Sequence, residues 1–168
     1  MKYVCSWCKT DLGEINTDRR DAAITHGICN KCVDALLLKN SKSLHEFLDS
    51  LNIPVIMIES GAIVRTGNKH AMALLGKQLS EIEDHRPGDI IECVHSKTPE
   101  GCGSDVHCKS CAIRKTVTET FATGKSFTDV PAYSDIKALS KVKPVCFMIS
   151  TEKVGDFVLL RIDDVKEN

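Results

Sequence analysis

No apolar run in this sequence approaches the roughly 18–20 residues that a membrane-spanning helix needs, so no helical span is expected. A secretory leader is missing as well, because the opening MKYVCSWCKTDLG turns polar at once. Nor is there an excess of charge of one sign. Lys and Arg number 22 against 23 Asp and Glu, which gives a net charge of -1 and no global pull toward nucleic acid or anionic lipid. The chain lacks a Walker loop, a Gly-x-Ser-x-Gly elbow and a His-Glu-x-x-His pair, so the common signatures of enzymes are absent and no enzymatic activity is expected. The bacterial ferredoxin cysteine run is absent, and so is the Cys-x-x-Cys-His signature of c-type haem, since Ala112 follows Cys111. These absences describe a cytoplasmic protein, in a compartment that keeps thiols reduced.

Cysteine, by contrast, is plentiful: nine in 168 residues. Where disulfides do not persist, Cys-x-x-Cys pairs point to metal or redox chemistry. CSWC (5–8) and CNKC (29–32) combine as C-x2-C-x20-C-x2-C. Two such turns are the usual way for four thiolates to close a tetrahedron around zinc. Cys5, Cys8, Cys29 and Cys32 are therefore expected to hold structural zinc, with free, redox-active or iron-binding thiols as the alternative. The surrounding residues 1–38 form the expected zinc module. Tyr3, Val4, Trp7, Leu12, Ile15 and Ile24 are too few to fold it without a metal clip. His26 is expected beside the site rather than on the ion. Over residues 1–39, six Lys and Arg face five Asp and Glu, which lacks the basic footprint of a nucleic-acid-binding face.

The composition turns polar around LKNSKS (38–43), where a domain boundary is expected near Asn40. SLHEFLDSLN then spaces Leu44, Phe47, Leu48 and Leu51 as a helix does. IPVIMIES and GAIVRTGN read as a hairpin, and NKHAMALLG as a helix stopped by Gly76. CAIRKTVTETFATG places Ile113, Val117 and Phe121 on one helical face, and SFTDVPAY, PVCFMISTEK and DFVLLRIDDV read as strands. This order of strands and helices predicts an α+β fold with an antiparallel sheet. The ordered set, from "PVIMIESGAIVRTGNKHAMALLG" to the closing "FVLLRIDDV", resembles a PAS (Per-Arnt-Sim) sensor domain over residues 43–165. The resemblance implies a five-stranded antiparallel sheet with flanking helices around a ligand pocket. The chain closes at VKEN, so a sensor without an attached output is expected. The cysteine-containing flavin-adduct motif of light-sensing PAS domains is not present. "CSWCKTDLG" with "THGICNKC" is similar to small zinc-binding modules at the ends of bacterial PAS and response-regulator proteins.

A second constellation, Cys93-x8-Cys102-x5-Cys108-x2-Cys111, interrupts this scaffold where the family's ligand-facing helices lie. Gly101 and Gly103 flank Cys102 and allow a tight bend. Ser104 or Asp105 is expected to cap a helix carrying both Cys108 and Cys111, whose thiolates that helix's dipole would favour. Structural zinc, an iron–sulfur cluster and labile or disulfide-forming thiols all remain open here. The string "ECVHS…GCG…HC" resembles a cysteine-bearing subgroup of bacterial PAS domains, which implies a shared site without naming an ion. His95 and His107 could replace one of these cysteines as ligand, though solvated loop histidines are the expectation. His70, on the helix from which the PAS resemblance would allow a haem ligand, is expected at the surface, and Cys146 is expected to be a small buried hydrophobe. Arg114 and Lys115 stand near the cluster as candidates to neutralise thiolate charge.

The functional expectation is a stand-alone sensor whose cysteine loop binds a metal or cluster and reports redox, oxygen or metal state. Its partner would be a signalling protein or a second copy of the chain, with no role at a membrane. A small thiol-redox or metal-dependent enzyme using Cys108 and Cys111, or a nucleic-acid-binding zinc module, is the alternative.

Overall fold

The computed structural model describes residues 2–5, 8–14, 24–29, 31–32, 41–138 and 141–167. Contacts divide the chain into two compact units, Met1–Leu51 and Asn52–Asn168. The helix Ser41–Ser50 therefore groups with the first unit, whereas the sequence reading starts the sensor domain at residue 43.

In the first unit β1 (Lys2–Cys5) lies between β2 (Asp11–Glu14), which pairs antiparallel, and β3 (Ile24–Gly27), which pairs parallel. The turn after β1 closes tightly: Cys5 N–H donates to the Thr10 carbonyl at 2.8 Å, and Lys9 N–H donates to the Cys5 carbonyl at 2.9 Å. Lys9 holds a left-handed φ of 59° to make that turn. Strands of four residues bury little, so this sheet positions sulfurs more than it builds a core. Trp7 and Ile15 lie outside the described residues. The amphipathic stretch is helix α1 (Ser41–Ser50), with Phe47 and Leu48 buried.

The second unit is α+β, as expected. Its hairpin is β4 (Val55–Glu59) and β5 (Ile63–Gly67), paired antiparallel with a bulge between Met57 and Ile58. Helix α2 (Lys69–Leu75) begins at Asn68 and ends at Gly76, whose φ of 62° is the left-handed stop the sequence implies. Asn68 is fully buried and satisfies three backbone groups. Its Oδ1 accepts from Ala71 N–H at 2.9 Å and Val55 N–H at 3.0 Å, and its Nδ2 donates to the Ile53 carbonyl at 2.8 Å. One side chain thus ties the helix start to the first strand. Short helices α3 (Leu79–Ile82) and α4 (Pro87–Ile90) follow, then the cysteine loop, then α5 (Ala112–Thr123).

The strands β6 (Phe127–Ala138), β7 (Lys141–Val154) and β8 (Phe157–Glu167) complete an antiparallel sheet of order β5-β4-β8-β7-β6. This is the five-stranded sheet with flanking helices that the PAS resemblance implies. Pro131 is tolerated because β6 is an edge strand, where a missing N–H need not break a ladder. The opposite edge, β5, is partly covered by chain, since Val64 N–H donates to the His85 carbonyl and Asp84 N–H to the Val64 carbonyl. Ile56, Ile58, Val64, Ile82, Ile90, Phe147, Ile149 and Leu160 form the core between sheet and helices.

Helix α5 departs from the expected face. Ile113 and Val117 are buried, but Phe121 is only half-buried, and Thr116 and Thr120 complete the inner stripe. Their hydroxyls can be buried because each has a partner. Thr116 donates to the Ala112 carbonyl at 2.8 Å, and Thr120 and Thr151 share a hydrogen bond at 2.7 Å.

Candidate metal centre and cysteine cavity

The donor atoms of Cys5, Cys8, Cys29 and Cys32 all lie within 4.8 Å of one another. Cys8 and Cys29 sulfurs are 3.6 Å apart, close to the ~3.8 Å edge of a tetrahedron whose zinc–sulfur bonds are about 2.3 Å. Backbone amides point at the most buried sulfur: Cys8 N–H and Cys29 N–H approach Cys5 Sγ at 3.5 and 3.4 Å. The electrostatics of the four thiols are divided. The Thr10 hydroxyl, 3.0 Å from Cys8 Sγ, chiefly lowers that thiol to about 6, whereas burial, then its cysteine neighbours, pushes Cys32 up to about 12. Four thiolates cannot ionise together here without a cation, and the spacing suits one tetrahedral ion. His26 is on β3, with its side chain outside the described set.

The loop cysteines are arranged differently. Cys93, Cys102, Cys108 and Cys111 all line one cavity of about 630 Å³, closed by the apolar faces of Ile91, Ile113, Val117 and Phe121. Cys93 is fixed at the loop's start by its N–H donating to the Gly88 carbonyl at 2.9 Å and by a bridge to Ile136 of β6. Cys102 sits over Gly88, where a Cβ would stand 2.6 Å from its Sγ. Arg86 anchors the same turn by donating from Nη1 to the Cys102 carbonyl, and the guanidinium also occupies the space beside Gly103. Gly101 and Gly103 take left-handed φ of 72° and 91°, so the bend the sequence implies at Cys102 is made by both flanking glycines.

The shared helix for Cys108 and Cys111 does not form. Asp105 does cap, accepting from His107 N–H at 2.8 Å, but it caps a single 3-10 turn, Val106–Lys109, that holds Cys108. Cys111 lies beyond the break, as the N-terminal cap of α5. Two short elements let sulfurs converge on a cavity from two directions, which one straight helix would not allow.

A backbone N–H donates to a loop sulfur, Gly103 to Cys108 Sγ at 3.2 Å. As free thiols two of the four resist ionisation. Burial raises Cys93, and raises Cys102 to about 11, outweighing the nearby backbone N–H groups that lower them. The four sulfurs do not close on one another as the first set does. Among the described residues, the only other group of three or more donors within 4.8 Å of one another is His95, Asp105 and His107. The sequence reading favours solvated histidines over the alternative that one of them replaces a cysteine as ligand. The signal was Asp-x-His directly before Cys108, with His95 directly after Val94, but the chain gives no hint that the loop folds them together.

His70 lies on α2, away from the cavity lining, and its Nε2 is buried without a hydrogen-bond partner among the described residues. Cys146 is buried in β7 opposite Tyr133, as expected of a small hydrophobe. Arg114 lines the cavity whereas Lys115 does not.

No family model matches the chain, and no curated protein does. The solved structures it is similar to are PAS domains and their relatives. The PAS domain of nitrogen regulation protein NR(II) from Vibrio parahaemolyticus is 13% identical, with a TM-score of 0.44 over 74% of this chain and 97% of that one. The PAS domain of Bordetella pertussis BvgS is 10% identical, with a TM-score of 0.44 over 74% and 86%. The Rhodobacter sphaeroides LOV protein is 10% identical, with a TM-score of 0.49 over 82% and 67%.

Proposed function

We propose that the second unit is a signal-sensing domain in which Cys93, Cys102, Cys108 and Cys111 hold an iron–sulfur centre. In the same reading, Cys5, Cys8, Cys29 and Cys32 hold structural zinc. The observation that carries the proposal is the convergence of all four loop thiols on one cavity. A single tetrahedral zinc needs sulfurs about 3.8 Å apart. The first set lies within 4.8 Å, whereas no three of the loop sulfurs do, which is wider than one tetrahedral zinc needs and leaves room for a polynuclear centre. The Gly103 N–H on Cys108 Sγ favours a thiolate bound to metal, since such contacts help tune cluster potential.

When bound, such a centre supplies a redox- or oxygen-labile state. The chain's own part is mechanical. Cys93 is bridged to β6 and Cys111 starts α5, so ligation holds the loop against an edge strand and a helix at once. Release of the sulfurs leaves the loop tied chiefly by Arg86 and the Cys93–Ile136 bridge, and its shift alters the surface offered to a signalling partner or a second copy of the chain.

Protein purified without oxygen should contain iron and acid-labile sulfide, and should show visible thiolate-to-iron absorption that bleaches in air. A colourless protein carrying two tightly held zinc ions would overturn the cluster and leave two structural sites.

A further inference from the structure

We infer that His95, Asp105 and His107 form a separate site for a divalent first-row transition cation at the rim of the cavity. Their donor atoms lie within 4.8 Å of one another, a two-histidine, one-carboxylate set drawn from both ends of the cysteine loop. The two imidazoles stack face to face with centroids 4.2 Å apart and planes 21° from parallel, which holds the two rings together, while the convergence of their donor atoms rests on the 4.8 Å spacing. Asp105 is nine-tenths buried, and the N–H of His107 fixes its carboxylate at 2.8 Å. Imidazole and carboxylate together suit zinc, iron, cobalt or nickel, and exclude the soft, thiolate-loving ions.

A further carboxylate supports this assignment. His95 Nδ1 faces Asp105 Oδ1 at 3.8 Å, while Nε2 on the other side of the ring faces Asp135 Oδ2 of β6, also at 3.8 Å. At 3.8 Å Asp135 acts on the ring by charge rather than by a hydrogen bond, and a carboxylate behind a ligating imidazole favours its binding a cation. A cation here would join residue 95 to residues 105–107 and, through Asp135, the loop to the edge strand. Three ligands leave the ion open to water or a small anion on the cavity side. The site does not depend on any centre at the four loop thiols.

The test uses zinc on the full chain with ¹⁵N-labelled histidine, reading the ring nitrogens by NMR. Zinc should shift the ring nitrogens of two histidines, assigned by their loss in His95→Ala and in His107→Ala; the second is an exposed residue whose removal leaves the fold intact by circular dichroism. Asp135→Asn should weaken the zinc-dependent shift by roughly ten-fold in concentration. Cys102→Ser and Cys111→Ser should leave it unchanged, even where they abolish iron and sulfide. Histidine rings that ignore zinc would overturn the site. So would a shift that disappears with the cysteine substitutions, which would make the histidines ligands of the thiol centre.

Discussion

Gly88 is the most informative single position in the loop's support. It lies in α4, is buried, and has ordinary helical φ, so alanine would gain about 1 kcal/mol of helix propensity in an open site. Here the new methyl would stand 2.6 Å from Cys102 Sγ, 3.2 Å from Cys102 Cβ and 3.6 Å from Ser96 Cβ. The sulfur must retreat by about 1 Å to restore van der Waals contact, and overpacking of this kind costs about 1–3 kcal/mol. Gly88→Ala should therefore be neutral to about 2 kcal/mol destabilising in urea unfolding, the clash outweighing the propensity gain. Cys102→Ala removes the sulfur but leaves the Cβ contact at 3.2 Å, so it should relieve the clash in part. A double-mutant cycle should then show a favourable coupling of about 0.5–3 kcal/mol. Metal or cluster content should fall in Gly88→Ala alone, because Cys102 is the sulfur displaced. A variant more stable than wild type, with no coupling to Cys102→Ala, would refute the close contact of Gly88 with the sulfur.

Two other expectations follow from hydrogen bonds and thiol ionisation. Asn68→Ala strips three backbone partners in a fully buried place and should cost roughly 2–4 kcal/mol in chemical denaturation; a loss below 1 kcal/mol would mean that water replaces the amide. In metal-free, reduced protein the first unit should lose its order and expose its thiols, while Cys102, raised by burial to about 11 in a unit that keeps its core, stays protonated until the pH nears 11. Iodoacetamide labelling read by mass spectrometry should modify the thiols of the first set before Cys102, with Cys102 labelling still rising above pH 9, and equal rates at pH 7.5 would contradict the burial of Cys102.

The fold was largely legible because its signals are local. Asn68 and Gly76 bound a helix by capping and by left-handed geometry, and both effects act within a few residues. The β-branched runs of β4, β7 and β8 declare themselves similarly, and their antiparallel order follows from the sequence of elements. The first cysteine set was legible for the same reason, since two Cys-x-x-Cys turns each present two sulfurs whatever lies between them. The loop was not. Its shape depends on Arg86 reaching the Cys102 carbonyl sixteen residues away, and on a glycine in a preceding helix vacating space for a sulfur. Neither contact has a periodicity or spacing to betray it. The same holds for His95 and His107, brought together by a loop whose closure is set by Asp105 and two left-handed glycines.

This difference in how the two cysteine sets are built bears on what each can do. The first set draws its sulfurs from turns beside short strands that bury few apolar side chains, so under the proposed function metal binding and folding there would be one equilibrium. Losing the ion would cost the unit its order, which suits a structural role. The loop set hangs on a unit with a full core of its own, formed by the sheet, Ile82, Ile90 and helix α5. Emptying it leaves that core standing and changes only the loop, the Cys93–Ile136 bridge and the start of α5. A centre whose loss is survivable and whose loop touches both an edge strand and a helix can report its own state. A centre that the fold cannot do without cannot.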